Sequence, residues 1–433
     1  MAFRSTRSRA LAGALVAGMA GASVGLAAGG QPGDPQGMRV VGEALLTGTD
    51  GLRQDVAQGL QMLEQAAEAG DPRAQRLVGT ALLWGGPVAT DPARAQALLS
   101  AAAEAGDVDA MRVLGQNLVG GWVLDRDAAT GRALLERAIA AGDVEARVVL
   151  GDLLLHGIGL DSDPATALAL FEQAAEAGNG EGIEKYGDWL MWSRKSPARA
   201  ESYLRRAAGM GRASAWTRLA EGAMYGYLGD GSRAKFPEFA ERARALGQNR
   251  IAVLEAERRM WGISMRANGP EAVDMLERAV EQGNPEALKA LVALKRDGNG
   301  MNVRRDRAAA RELLDRHGDL LTPTEAAQLA ATLRAAEART PQDYAALADL
   351  IAMGGPLRST WFAGELNAAN PNFAIYLLQA RLHREGLYSG PLNGQATTPT
   401  LRALYRACQG LADRSGCDDS VMSPRVIAAL LTR

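Results

Sequence analysis

"LEQAAEAGDP" (residues 63–72) and "FEQAAEAGNG" (residues 171–180) are nearly the same phrase, 108 residues apart. Between them stand "LSAAAEAGDV" (99–108) and "LERAIAAGDV" (135–144), so the step is 36 residues. Copies align on Leu63, Leu99, Leu135, Phe171, Leu204, Ala240 and Leu276. Three positions later each copy has Ala, from Ala66 to Ala279, and seven positions later each has Gly, from Gly70 to Gly283. Two further columns are mostly small: Ala74, Ala110, Ala146 and Gly182, then Gly79, Gly115, Gly151 and Gly187.

The chemistry of these columns predicts the local structure. Asp91-Pro92 and Asp163-Pro164 read as a helix N-cap followed by proline at the first helical position. The helix then runs to the glycine column, where glycine suits the left-handed residue that closes a helix. The next residue is Asp71, Asp107, Asp143, Asn179 or Asn284, each a new N-cap. A second helix follows and ends near Gly85, Gly121 or Gly157. Each unit therefore reads as helix, tight turn, helix, loop. One such pair cannot bury its own apolar face, so neighbouring units must stack.

The expected array covers residues 38–317. "RVVGEALLTG" (39–48) echoes "RLVGTALLWG" (76–85) and reads as an isolated second helix capping the start. The step shortens to 33 between Phe171 and Leu204, and Leu314 can open an eighth unit. The unit around 240–262 is degenerate, with Arg244 and Ile251 breaking the small-residue pattern.

Composition agrees with packed helices. Apolar residues make up 47% of the 433, aromatic residues only 5%, and net charge is −2. No basic stripe points to nucleic acid. The N-terminus reads as a secretory leader, residues 1–27. Arg4, Arg7 and Arg9 precede an uncharged run at 10–28, with small residues for cleavage near Ala27. The alternative is a retained anchor. No other run is long enough to span a membrane, so the processed chain is expected to be periplasmic. Cys408 and Cys417, the only cysteines, read as one local disulfide in an exported chain, or else as free thiols.

The repeat resembles the Sel1-like subclass of tetratricopeptide-type repeats. "LGDLLLHGIGLDSDPATALALFEQAAEAGN" (150–179) carries that family's pattern: a Leu-Gly start, a loop glycine pair, Asp, Ala, an aromatic, Ala-Ala and Gly. The resemblance implies an all-α fold, a right-handed α-solenoid that binds protein partners on its surface.

Residues 318–372 lose the glycine column. "LTPTEAAQLAATLRAAEA" and "TPQDYAALADLIAMG" read as two capping helices, and "GGPLRSTWFAGELNAANPN" as a loop-rich linker. Residues 373–433 resemble the peptidoglycan-binding-like three-helix domain. The match is carried by Leu378-Gln379 with Leu382, by Gly386-Leu387-Tyr388 and Gly390-Pro391-Leu392-Asn393-Gly394, and by Thr400, Ala407 and Gln409. The sequence departs from that pattern at Asn393, where the family has Asp, and at Cys408, where it has Phe. The resemblance implies binding to peptidoglycan or another polysaccharide through the loop, with Tyr388 as a stacking face beside Gly390, Pro391, Asn393 and Gly394. The other reading is a cap or a protein-contact module.

No catalytic constellation stands out. His156, His317 and His383 have no metal-type spacing, and no nucleophile elbow, phosphate loop or zinc-protease motif is present. No enzyme activity, metal or cofactor is expected. Trp84, Trp122, Trp189, Trp192, Trp216 and Trp261 fall in or just after second helices and read as core filling between units, with a binding surface as the alternative. Arg304-Arg305-Asp306-Arg307 reads as a solvated loop before a helix. The expected function is an exported, non-catalytic scaffold that recruits proteins and tethers to the wall. The alternative is a component of an exopolysaccharide synthesis or secretion machine, a setting in which Sel1-type proteins also serve.

Overall fold

The computed structural model describes residues 34–85, 88–353, 357, 359–411, 414 and 416–432. The expected leader, with Arg4, Arg7, Arg9 and Ala27, lies outside them. The described residues contain α-helices and two short 3-10 turns, and no strand. They form two compact units that divide between Tyr186 and Gly187.

In the first unit the helices alternate as the columns predict: Val56–Glu68, Pro72–Trp84, Pro92–Glu104, Val108–Gly120, Ala128–Ala140, Val144–His156 and Pro164–Glu176. Each long-loop entry begins on an aspartate whose side chain accepts from the third helical N–H: Asp55 from Gln58, Asp91 from Arg94, Asp127 from Thr130, Asp163 from Thr166. The helix Pro35–Thr47, capped by Asp34, precedes them, so the described array begins three residues before the expected start at 38.

The tight turn is a Schellman closure. The N–H of Gly142 donates to Ile139 O (3.0 Å) and that of Asp143 to Ala138 O (3.0 Å), with Gly142 at φ 93°. The same two bonds recur at Gly70, Gly106, Gly178, Gly211, Gly247 and Gly283. A Cβ added to Gly142 would meet nothing within 4 Å. Backbone conformation, not crowding, therefore demands glycine there.

The other glycine column answers to crowding. A Cβ on Gly115 would stand 2.8 Å from Gly131 O and 3.0 Å from Leu135 Cγ. This contact joins a second helix to the first helix of the following unit. The closest approach of backbones thus lies across the loop rather than across the tight turn. The buried stripes of these helices, including Leu63, Leu99, Leu135 and Ala138, merge into one apolar core.

The aspartate after the tight turn has a further task that the sequence did not show. Asp107 Oδ1 accepts from Ala110 N (2.8 Å) while Oδ2 accepts from Arg76 Nε (3.1 Å). Arg112 Nε reaches Asp143 in the same way at 2.8 Å, and Arg39 reaches Asp71 at 3.3 Å. Each such arginine comes from the preceding second helix, so the cap also ties neighbouring units together.

The second unit continues with helix pairs. Ala213–Tyr225, Arg250–Trp261, Gly269–Glu281, Pro285–Asp297 and Arg307–His317 keep the alternation. The degenerate unit is entered through a 3-10 turn, Ser232–Lys235, before the short helix Phe236–Ala245, and Ile251 is buried despite its size. Arg304, Arg305 and Asp306 are exposed, and Asp306 caps the next helix.

Pro323–Glu337 opens on a capping box: Thr322 Oγ1 accepts from Glu325 N, and the Glu325 carboxylate accepts from Thr322 N. Pro341–Met353 follows. The stretch expected to be a loop-rich linker carries a helix, Thr360–Ala369, whose Ala363 lies in the C-terminal core. Asn370 ends that helix and caps the next one, Pro371–Arg384, while its Nδ2 donates to Ala335 O and Ala338 O. Polar residues doing cap work look like loop residues in sequence. Thr398–Cys408 and Pro424–Thr432 complete the bundle, and a buried disulfide joins Cys408 to Cys417 with Cα atoms 5.8 Å apart.

Candidate functional site

The two sequence-predicted binding features fare differently. In the C-terminal loop, Tyr388 is only 5% exposed, so its ring is not presented as a stacking face. Its hydroxyl donates to Pro391 O (3.0 Å), and the fully buried Gln379 organises the rest. Gln379 Oε1 accepts from Asn393 N (3.0 Å) and Gly394 N (2.8 Å), and Nε2 donates to Gln395 O and Thr400 Oγ1, each at 3.0 Å. Gly390 packs against the Tyr388 hydroxyl, and Gly394 (φ 75°) against Asn372 O. Asn393 Oδ1 accepts from Gln395 N (3.0 Å), leaving Pro391 as the exposed member of the five. These residues build the loop; their polar atoms are turned to one another.

The tryptophans are displaced the other way. Trp84, Trp189 and Trp216 are half-buried, with Trp84 packed against the apolar core, whereas Trp122, Trp192 and Trp261 are exposed, which corrects the core-filling reading for those three. Trp84 and Trp261 end second helices, Trp122 follows one, Trp189 and Trp192 lie within Gly180–Ser193, and Trp216 lies in the first turn of Ala213–Tyr225. Trp216 packs on Phe239, with the Arg242 guanidinium over its ring at 4.8 Å.

Trp261 lies in a groove of about 670 Å³ in the second unit. Its walls come from Arg250–Trp261, Pro285–Asp297 and the helix Thr360–Ala369, and Tyr225 and Trp361 are among the lining residues. Trp261 and Trp361 are 45% and 38% exposed. Glu257 lies one turn before Trp261 on the same helix. Burial pushes its carboxyl above the ordinary range; the Glu221 charge adds to this, and Arg250 opposes it. Arg250 stands 3.4 Å from Glu257 and 3.8 Å from Glu221, and Tyr225 Oη donates toward Glu257 at 3.5 Å.

On the facing wall, Lys289 pairs with Glu286 (2.5 Å) and Glu325 (3.4 Å) and sits 5.9 Å from the Trp361 ring centre. Behind the wall, Arg296 is fully buried. It donates to Asp297 (2.8 Å) and Glu365 (3.0 Å), which together raise its guanidinium pKa against the burial that would lower it. This clamp fixes the helix carrying Trp361 to the helix carrying Lys289.

Sequence reasoning reached Trp261 but missed Glu257, Arg296, Trp361 and Glu365. Trp361 lay in a stretch read as linker, and a buried arginine at a helix end carries no periodic signal. Among the described residues no cluster of His, Cys, Asp and Glu could hold a metal, and no helix is long and apolar enough to cross a membrane. His156 and His383 each approach a backbone carbonyl, of Asp152 and Tyr388, at 3.0 Å.

The Sel1 repeat family matches residues 35–71, 72–107, 108–143, 144–179, 183–211 and 245–284. No curated protein matches the chain. Among solved structures, a Sel1 repeat protein from Oxalobacter formigenes is 22% identical, covering 49% of this chain and 88% of its own, with a TM-score of 0.44. The protective antigen c5321 of uropathogenic Escherichia coli, which displays an SLR fold, is 19% identical over 92% of this chain and 88% of its own, with a TM-score of 0.47. The immunity protein Pa5087 of Pseudomonas aeruginosa is 19% identical over 50% of this chain and 81% of its own, with a TM-score of 0.35. The recurring Schellman turns and the six family matches agree in phase: residues 35–179, 183–211 and 245–284 carry Sel1 repeats.

Proposed function

We propose that the chain is an exported, non-catalytic scaffold that receives a protein partner in the groove between Trp261 and Trp361. Sel1 repeats typically mediate protein–protein interaction. The observation that carries the reading is the pair of exposed tryptophans in a concavity fixed from behind by the Arg296 clamp. Large aromatics held rigidly at low conformational cost are the residues that anchor interfaces. Affinity purification of the full chain from its own host tests this. Partner proteins recovered with the parent and with Trp122→Ala, but lost with Trp261→Ala combined with Trp361→Ala, are expected. An identical protein set from all three contradicts it.

Export rests on the basic start and the uncharged run at residues 10–28. Mass spectrometry of the mature chain is expected to give a start between residues 23 and 31. An intact Met1 in the cytoplasm contradicts export.

For the C-terminal bundle we propose the role of closing the array. The loop that resembles a glycan site spends its polar groups on Gln379, and Tyr388 is buried. The full chain is expected not to co-sediment with purified sacculi; sedimentation weakened by changing exposed Pro391 would restore the wall tether.

A further inference from the structure

The groove's charge narrows what it can hold, on the reading above that it receives a protein. Four carboxyl groups line it, Glu257, Glu286, Asp297 and Glu365, against two cations, Arg250 and Lys289. Both cations are already engaged: Arg250 lies beside Glu221 and Glu257, and Lys289 beside Glu286 and Glu325. Arg296, behind the wall, likewise engages Asp297 and Glu365; with Glu221 and Glu325 counted, six carboxyl groups stand against three cations, and the excess is negative. Removed from bulk water, such an excess favours a cationic occupant.

The aromatic faces select the same chemistry. Trp261 is 45% exposed one turn from Glu257, so a π face and a carboxyl point into one space. Lys289 already holds its ammonium 5.9 Å from the Trp361 ring centre, which shows that a cation can approach this ring in this groove. The row of rings extends beyond the groove: Tyr225 stacks on Tyr227 (5.5 Å between centroids), and Tyr227 meets the exposed Trp192 edge-on at 5.4 Å. Arg194 lies over Tyr227 at 5.1 Å, a second cation seated on this row.

We infer that the occupant is an extended, cationic segment of a partner protein, with Arg or Lys side chains set against Trp261 and Trp361 and neutralised by Glu257 and Glu286. Met260 and Leu294 in the lining meet the aliphatic stems of those side chains. A neutral glycan would use the rings but leave the carboxyl groups uncompensated. An acidic polysaccharide would be repelled.

The test is fluorescence anisotropy of the full chain with a labelled peptide of alternating Arg and Leu, beside Glu–Leu and Gln–Leu counterparts. The Arg peptide is expected to bind, and added salt to weaken it because the attraction is partly screened. Trp261→Ala is expected to weaken it roughly three- to tenfold, as loss of a cation–π contact does. Glu257→Gln and Glu286→Gln should each weaken it, and Trp122→Ala should not. If Trp261→Ala lowers the melting temperature, Trp261→Leu keeps the apolar contact and removes only the π face. Binding of the Gln or Glu peptide as tightly, with the same dependence on Trp261, overturns the charge assignment and leaves the protein-binding reading standing. Displacement by soluble peptidoglycan fragments, lost with Trp261→Ala, overturns both. No binding of the Arg peptide overturns the inference alone, since partners lost only with the tryptophan pair would still uphold the reading.

Discussion

The backbone N–H of Asp143 donates to the carbonyl of Ala138 at 3.0 Å, across Gly142 at φ 93°. That bond joins two columns of the repeat into one device. Ala138 is fully buried because its small side chain lets the helix close onto its neighbour, and its carbonyl is the one that the turn must satisfy. Gly142→Ala is expected to cost roughly 1–2 kcal/mol, the price of a left-handed conformation for a residue with a Cβ. Gly142→Asn should recover part of it. At Gly115 the order differs: Gly115→Ala is expected to cost roughly 1–3 kcal/mol by overpacking against Gly131 O, and Asn there should be worse. Thermal melts of the four variants check both, and Asn ranking alike at the two sites would contradict the distinction.

Asp143 also separates capping from pairing. Asp143→Asn keeps the acceptor for Glu145 N and Ala146 N and loses the charge facing Arg112; Asp143→Ala loses both. Removing the cap is expected to cost about 1 kcal/mol more than removing the charge. The copies at Asn179 and Asn284 already use the milder form, capping Gly182 and Ala287. Urea melts giving equal losses for the two variants would show that the ion pair, not the cap, dominates.

How much of this was legible follows from where each signal resides. The glycine and aspartate columns are local requirements of a turn and a cap, so they repeat in the sequence and could be read in phase. The groove is non-local: Tyr225, Glu257 and Lys289 fall at steps of 32 on three second helices, off the 36-residue step and so in no shared column, and Trp361 comes from a fourth helix outside the repeat. Asn370 read as linker because a cap residue and a loop residue have the same chemistry. Tyr388 beside a glycine-rich turn has two physical readings, a stacking face or a ring the turn closes over. Gln379, nine residues earlier, decides for the second, as the hub of its hydrogen bonds.

Glu257 gives a pH dependence with a definite sign. Its folded carboxyl is raised above the ordinary value, first by burial and then by Glu221. A raised acid favours the folded state at pH below the unfolded pKa, and that advantage is lost as pH rises through the folded value. Glu257→Gln is therefore expected to melt higher than the parent at about pH 7, with the gap closing toward about pH 4. A gap that widens on acidification would mean that the Arg250 pair outweighs the burial.

The Cys408–Cys417 bridge closes a loop between residues nine apart in a core that also contains Ile427 and Leu430. Reduction, or Cys408→Ser with Cys417→Ser, is expected to cost roughly 2–3 kcal/mol, because a short closed loop restricts the unfolded chain. Native-state thiol labelling of the exported protein should find neither sulfur free. Labelling of both would contradict the bridge in the mature chain.

The central claim is that a protein segment lies against Trp261. The most direct measurement places a photo-activatable phenylalanine at position 261 of the full chain in its own host, with position 122 as the control, and identifies the adducts by mass spectrometry. The account predicts a protein adduct at 261 and none of that identity at 122, with the crosslinked peptide rich in Arg or Lys. Adducts to glycan at 261, or the same protein adducts at both positions, would contradict it.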